Sequence, residues 1–193
     1  MMVRFWGVRG SYPTPITPDK LRAKIAAVIQ RVKPEDLANA NTREQFLAGL
    51  PEWLFGTPGG NTPCLEVRLK DGTCILLDAG TGIIEFSSAL RKEKKAPGSL
   101  HLFFSHFHYD HIHGLPFLGQ AYNPAIHMHF YSPIRDIEYI LKDHMAHPFF
   151  PVTMQDKMTK QLFFHSLADQ PSVQIGSARV SWSKLNHPGN AFA

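Results

Sequence analysis

The segment Ser105-His106-Phe107-His108-Tyr109-Asp110-His111 constrains this chain more than any other. A preset His-x-His-x-Asp-His pattern arises by chance in roughly one chain in 600 of this makeup, so it is read as a site rather than an accident of composition. Position strengthens the reading. The segment directly follows Leu100-His101-Leu102-Phe103-Phe104, a short continuous apolar run of the kind that forms a strand covered on both faces. A strand that ends in a loop delivers side chains from a rigid base to the rim of a sheet.

The residue types explain the chemistry. Imidazole suits zinc, iron and similar first-row ions, and a carboxylate adds a hard anionic donor. His106 and His108, two apart, can project to one side of an extended loop and share a metal. Asp110 and His111 are offset by a turn and can serve a second. Two such ions can hold a hydroxide at neutral pH and grip substrate oxygens. With one carboxylate among these donors the pocket is strongly positive, which predicts a small anionic substrate.

Composition bounds the rest. At 193 residues, 44% hydrophobic and 11% aromatic, the chain can bury a core without disulfide staples and is not of the disordered class. No apolar run approaches the roughly 18 to 20 residues of a membrane span, and Met1 to Val8 does not read as a secretory signal. The expectation is a cytoplasmic protein with no membrane partner. A formal charge of +4 with dispersed basic residues favours anionic ligands only weakly, and no basic tract with interleaved aromatics points to nucleic acid.

Strand-like and helix-like segments alternate without repeats or a linker, which predicts one mixed domain. Val3 to Val8 reads as a strand. Thr17 and Pro18 form a helix cap and first residue, and Leu21, Ile25, Val28, Ile29 and Val32 fall on one helical face. Thr42 to Gln45 reads as a capping-box start for a second helix. A glycine-rich loop, Gly56 to Thr62, precedes a hairpin of Cys64 to Lys70 and Thr73 to Asp78 around Asp71-Gly72. A type I′ turn there sets Lys70 against Thr73 and Leu69 against Cys74. Cys64 then lies far from Cys74 along the ladder, and no disulfide is expected. Ile83 to Lys92 reads as a helix, Ile126 to Tyr131 as a strand, and Ile134, Ile137, Ile140, Leu141 and Met145 mark an amphipathic helix. Gln161 to His165, Ser172 to Ile175 and Ala178 to Leu185 complete the strands.

The remaining histidines divide unevenly. His113, His127, His129 and His144 are read as structural or surface residues, and His101, His147 and His165 show no pattern. His187, in Asn186-His187-Pro188-Gly189, follows a strand and opens a turn, which repeats the placement of the motif histidines.

His106-Phe107-His108-Tyr109-Asp110-His111 resembles the signature of the metallo-β-lactamase superfamily. Phe5-Trp6-Gly7-Val8-Arg9-Gly10-Ser11, Gly59-Gly60-Asn61-Thr62, Leu76-Leu77-Asp78-Ala79-Gly80-Thr81-Gly82, Phe149-Phe150-Pro151-Val152 and His187-Pro188-Gly189 occur in the same order in its phosphodiesterase-like branch, related to transfer-RNA 3′ processing nucleases and cyclic phosphodiesterases. The resemblance implies an α+β fold, the αββα sandwich, with a helical insertion at about residues 13 to 57. It implies a first metal on His106, His108 and His187 and a second on Asp110 and His111. Asp110 would also orient the attacking hydroxide, Asp78 would buttress ligand histidines, and Gly10, Ser11, Asn61 and Thr62 would line the substrate rim. Zinc is the expected ion at both sites, with manganese or iron as alternatives.

The family also supplies a bridging Asp and a last His after the His-Pro-Gly turn, and no residue beyond Ala193 provides them. The expectation is therefore a fold whose C-terminal part is missing, or one completed by a partner chain or a second copy. The leading functional reading is a di-metal phosphodiesterase acting on a small phosphodiester or cyclic nucleotide. Thioester or lactam hydrolysis on the same fold, and a catalytically incomplete scaffold, are the alternatives.

Overall fold

The computed structural model describes residues 1–56, 60–93 and 97–193, so Gly59 of the glycine-rich loop lies outside the described residues. Two compact units emerge: Met1–Pro13 together with Asn61–Ala193, and Thr14–Gly60.

In the larger unit six strands lie side by side in the order of the chain: β1 (Met2–Gly7), β2 (Cys64–Arg68), β3 (Cys74–Leu77), β4 (Ser99–Phe103), β5 (His127–Ser132) and β6 (Leu162–Ser166). The first three are antiparallel, and β3 to β6 run parallel. A separate hairpin sheet joins β7 (Ser172–Ile175) to β8 (Ala178–Ser181).

The period-2 alternation of each strand sorts its side chains onto two faces. Cys74, Leu76, Leu100, Leu102, Met128 and Phe130 point one way. They form the main core with Ile83, Phe86 and Leu90 of α3 (Gly82–Leu90) and Ile137 and Leu141 of α5 (Ile137–His144). Ile75, Phe103 and Tyr131 point the other way and pack with Ile175, Val173 and Val180 of the hairpin sheet. Helices on one face and a second sheet on the other give an α+β fold, and the αββα sandwich is the architecture this layering matches. No helix among the described residues is long and apolar enough to cross a membrane.

The smaller unit holds α1 (Pro18–Ile29) and α2 (Ala40–Ala48). Thr17 caps α1 as expected, its hydroxyl accepting from the Lys20 amide. No α1 residue is buried, so the apolar face anticipated from Leu21, Ile25 and Ile29 is exposed. The α2 start differs from the sequence expectation. Asn39, not Thr42, is the cap, and Thr42 sits three residues inside, where the two side chains and amides bond reciprocally. Asn is the better cap because its amide oxygen reaches the third-residue N–H. Lys24 donates to the carbonyls of Trp53, Leu54 and Gly56, tying α1 to the segment after α2.

The hairpin register also differs by one residue. Arg68, not Leu69, faces Cys74, because Leu69 pairs with Thr73 and the loop holds three residues. Gly72 takes φ +90 and Asp71 Oδ1 accepts from the Thr73 amide, the arrangement of a three-residue loop closed by a left-handed residue rather than a type I′ turn. Both cysteines are free and buried. β8 ends at Ser181 rather than running to Leu185, and only a single bridge, Lys184 to Phe192, continues the pairing.

Candidate metal centre

β4 ends at Phe103, and the chain turns through Ser105 into α4, a single turn over Tyr109–Ile112. Asp78, just past the end of β3, takes the left-handed conformation at φ +61, rare for a residue with a side chain. Its carboxylate accepts from the Ser105 amide at 2.8 Å. The two loops are stitched further by Ala79 N–H to the His111 carbonyl and Gly114 N–H to the Ala79 carbonyl. Gly80 is required here: a Cβ would lie 2.3 Å from the Asp110 carbonyl oxygen and 2.5 Å from Thr62 Oγ1.

This frame brings His106, His108 and His187 together, with one ring nitrogen of each lying within 4.8 Å of the others. His106 Nε2 is 3.0 Å from His108 Nδ1, which is 3.4 Å from His187 Nε2. Burial, followed by the charges of His111 and His108, pulls His106 down to about 4, so its ring is neutral at physiological pH. Three imidazoles converging on one point match the donor set of a first-row dication. Gly189 lies against the same cluster at φ +87, where a Cβ would meet His108 Nε2 at 2.8 Å.

Asp110 and His111 stand beside this triad, the His111 ring 4.0 Å from that of His106. His111 Nδ1–H donates to Asp78 Oδ2 at 2.8 Å, which leaves Nε2 facing Asp110 Oδ2 at 3.5 Å. Burial opposes protonation of His111, but the hydrogen bond and charge of Asp78 and the charge of Asp110 outweigh it and raise its pKa. Asp110 Oδ2 also accepts from the Ser11 amide at 2.8 Å, so Ser11 reaches the site through its backbone. Ser11 itself is held at φ +68.

Asn61 and Thr62, expected at the substrate rim, bond to Thr81. Thr62 is fully buried, its hydroxyl accepting from the Thr81 amide at 2.7 Å. Asn61 Oδ1 accepts from Thr81 Oγ1, and its carbonyl accepts from the Val8 and Arg9 amides. The Asn61 carbonyl thus fixes the residues after β1, and the Thr62 hydroxyl and Asn61 Oδ1 fix Thr81 at the start of α3. The structure adds a residue the motif reading passed over. The Ser105 hydroxyl lies 2.8 Å from Asp78 Oδ2 and 3.0 Å from His106 Nδ1. It can donate to the carboxylate and accept from His106 Nδ1–H, which directs His106 Nε2 at the triad. A single carboxylate thus orients His111 directly and His106 through Ser105.

The chain also resembles known proteins. No curated protein sequence matches it significantly. A solved structure described as a new diphosphatase from the PhnP family aligns with 98% of this chain and 60% of its own, at 18% identity and a TM-score of 0.58. The chain thus spans about 60% of that relative's length. The metallo-β-lactamase fold protein YhfI from Bacillus subtilis aligns with 75% of this chain and 52% of its own, at 18% identity and a TM-score of 0.49. The family model of the metallo-β-lactamase superfamily matches residues 57–129. Residues 57–129, which carry His106 to His111, thus match the metallo-β-lactamase superfamily model, and the chain shares its fold with the PhnP-family structure.

Proposed function

We propose that this protein is a metal-dependent hydrolase acting on a phosphodiester. The observation that carries the reading is the convergence of His106, His108 and His187 beside a positioned Asp110. These three histidines would hold one ion, with Asp110 and His111 offering donors to a second. Nitrogen donors of this kind suit zinc, with manganese or iron as alternatives. A bound dication would supply Lewis-acid polarisation of a phosphoryl oxygen and lower the pKa of water.

The chain's own residues do the remainder. Neutral imidazoles leave the charge of a dication uncompensated, and Asp110 offsets only part of it, so the centre attracts an anion. The Asp110 carboxylate, fixed by the Ser11 amide, is the acceptor placed to take the proton of an attacking water. Asp78 and Ser105 hold the histidine rings in the tautomers that turn their free nitrogens inward. The PhnP-family relative is described as a diphosphatase, which agrees with hydrolysis at phosphorus on this fold.

Asp110→Ala tests the reading. Hydrolysis of an aryl phosphodiester with added Zn2+ or Mn2+ is expected to fall by about 10²- to 10⁴-fold, with the circular dichroism spectrum retained. Undiminished turnover in that variant would refute the assignment.

A further inference from the structure

A second feature of the same loop is not absorbed by the metal centre. In and just after α4, Asp110 and His111 stand beside the histidine triad, whereas Tyr109, Ile112 and His113, spaced i, i+3 and i+4, line a cavity of about 540 Å³. That volume lies within the roughly 300 to 1,000 Å³ of small-molecule sites. Its walls are aromatic. Phe107, Phe117, Phe149 and Phe150 join Tyr109, with Phe117 and Phe150 packed edge to face at 5.9 Å. Tyr109, Phe117 and Phe149 are largely solvent-exposed, although apolar rings of this size are ordinarily covered.

Polar groups occupy the same wall. Asp143 and His144, from the end of α5, line the cavity together with His113. His144 Nε2 is buried without a hydrogen-bond partner. Asp143 offers an acceptor at the exposed rim of the cavity, which a flat ring carrying N–H donors can meet while it stacks on the aromatic walls. Tyr109 lies between His108 and Asp110 in the chain, so the cavity and the metal centre share one short backbone segment.

We propose that this cavity is a nucleobase subsite. It takes a base with an exocyclic amine, held between Tyr109 and the Phe149–Phe150 pair, with Asp143 accepting from the amine. The inference rests on the phosphodiesterase reading for its link to catalysis, but base binding itself does not depend on turnover.

The test separates the two. Adenosine, which carries no phosphate, is titrated against the chain and followed by saturation-transfer NMR. In parallel, kcat/KM is measured with Zn2+ for adenosine 5′-(p-nitrophenyl phosphate) and methyl p-nitrophenyl phosphate, which share a leaving group. The expected result is saturable adenosine binding and a preference of about tenfold or more for the adenosine ester, the scale of one base stacked on aromatic walls. Phe149→Ala and Asp143→Asn, at exposed positions, are expected to weaken adenosine binding and bring the ratio toward one. Adenosine binding that both variants weaken, with neither ester hydrolysed, would support the subsite and refute the phosphodiesterase reading. Absence of saturable adenosine binding, or adenosine binding unchanged in both variants, would refute the subsite, and turnover of both esters at equal efficiency would refute its link to catalysis.

Discussion

Ser105 shows how much one hydroxyl can hold in this site. It lies between Asp78 and His106, so removing it frees the His106 ring to rotate and leaves one Asp78 oxygen less satisfied. Ser105→Ala is expected to weaken metal binding by about 10- to 100-fold, the usual effect of losing a group that orients a ligand histidine. Ser105→Thr, which keeps the hydroxyl, should restore most of it, and competition with a chromophoric chelator measures both. Gly80 tests the frame itself. Gly80→Ala drives a methyl group into the Asp110 carbonyl and Thr62, and a loss of about 1 to 3 kcal/mol is expected in urea unfolding. His106, His108, Asp110 and His111 stand out in the sequence because they fall in one contiguous segment. The roles of Ser105 and Thr62 do not, since each depends on a partner more than fifteen residues away that only the folded chain brings near.

Among the elements, β4, β5 and β6 place an unusual row across the sheet. His101 pairs with His129 and His129 with Phe163, while Phe103, Tyr131 and His165 occupy the next row. The rings of His101 and His129 stack at 4.8 Å, and His129 Nδ1 lies 3.1 Å from His165 Nε2. Burial, then the charges of His101, His165 and His127, brings His129 down to about 4, and burial lowers His101 and His165 as well. An unfolded chain protonates these rings near their ordinary value of 6.5, so between about 4 and 6.5 it binds more protons than the folded one. The contribution of these rings to stability is therefore full above about pH 6.5 and falls as pH drops toward 4. His106 contributes with the same sign, so the comparison needs a variant outside the metal centre. Urea midpoints for His129→Phe are expected to fall less steeply with acid than those of the parent chain. Each strand was readable from its own apolar run, but this stack was not, because it exists only once the cross-strand register is fixed. The same physics explains the hairpin, where Asp71-Gly72 announced a turn and the Asp71 bond to Thr73 decided its length.

On the scale of the whole molecule, the triad joins residues 79 apart, His108 and His187, which precede and follow β5, β6 and the hairpin sheet in the chain. Metal bound by all three stabilises only the folded chain. Added Zn2+ is expected to raise the thermal midpoint, chelation to lower it, and His187→Ala to abolish the difference, as differential scanning fluorimetry can show. The alternation of strand and helix patterns announced one mixed domain, whereas its α+β class and a helical insertion at about residues 13 to 57, where Thr14–Gly60 forms a unit of its own, were implied by the resemblance. The order of the main sheet has one further consequence. Since spatial order repeats chain order from β1 to β6, every strand leaving the ribosome finds its neighbour already made, and the sheet can grow from one edge without waiting for distant sequence. His187 emerges after all of it, so the centre stays open through synthesis of the sheet and closes only when the scaffold beneath it is complete.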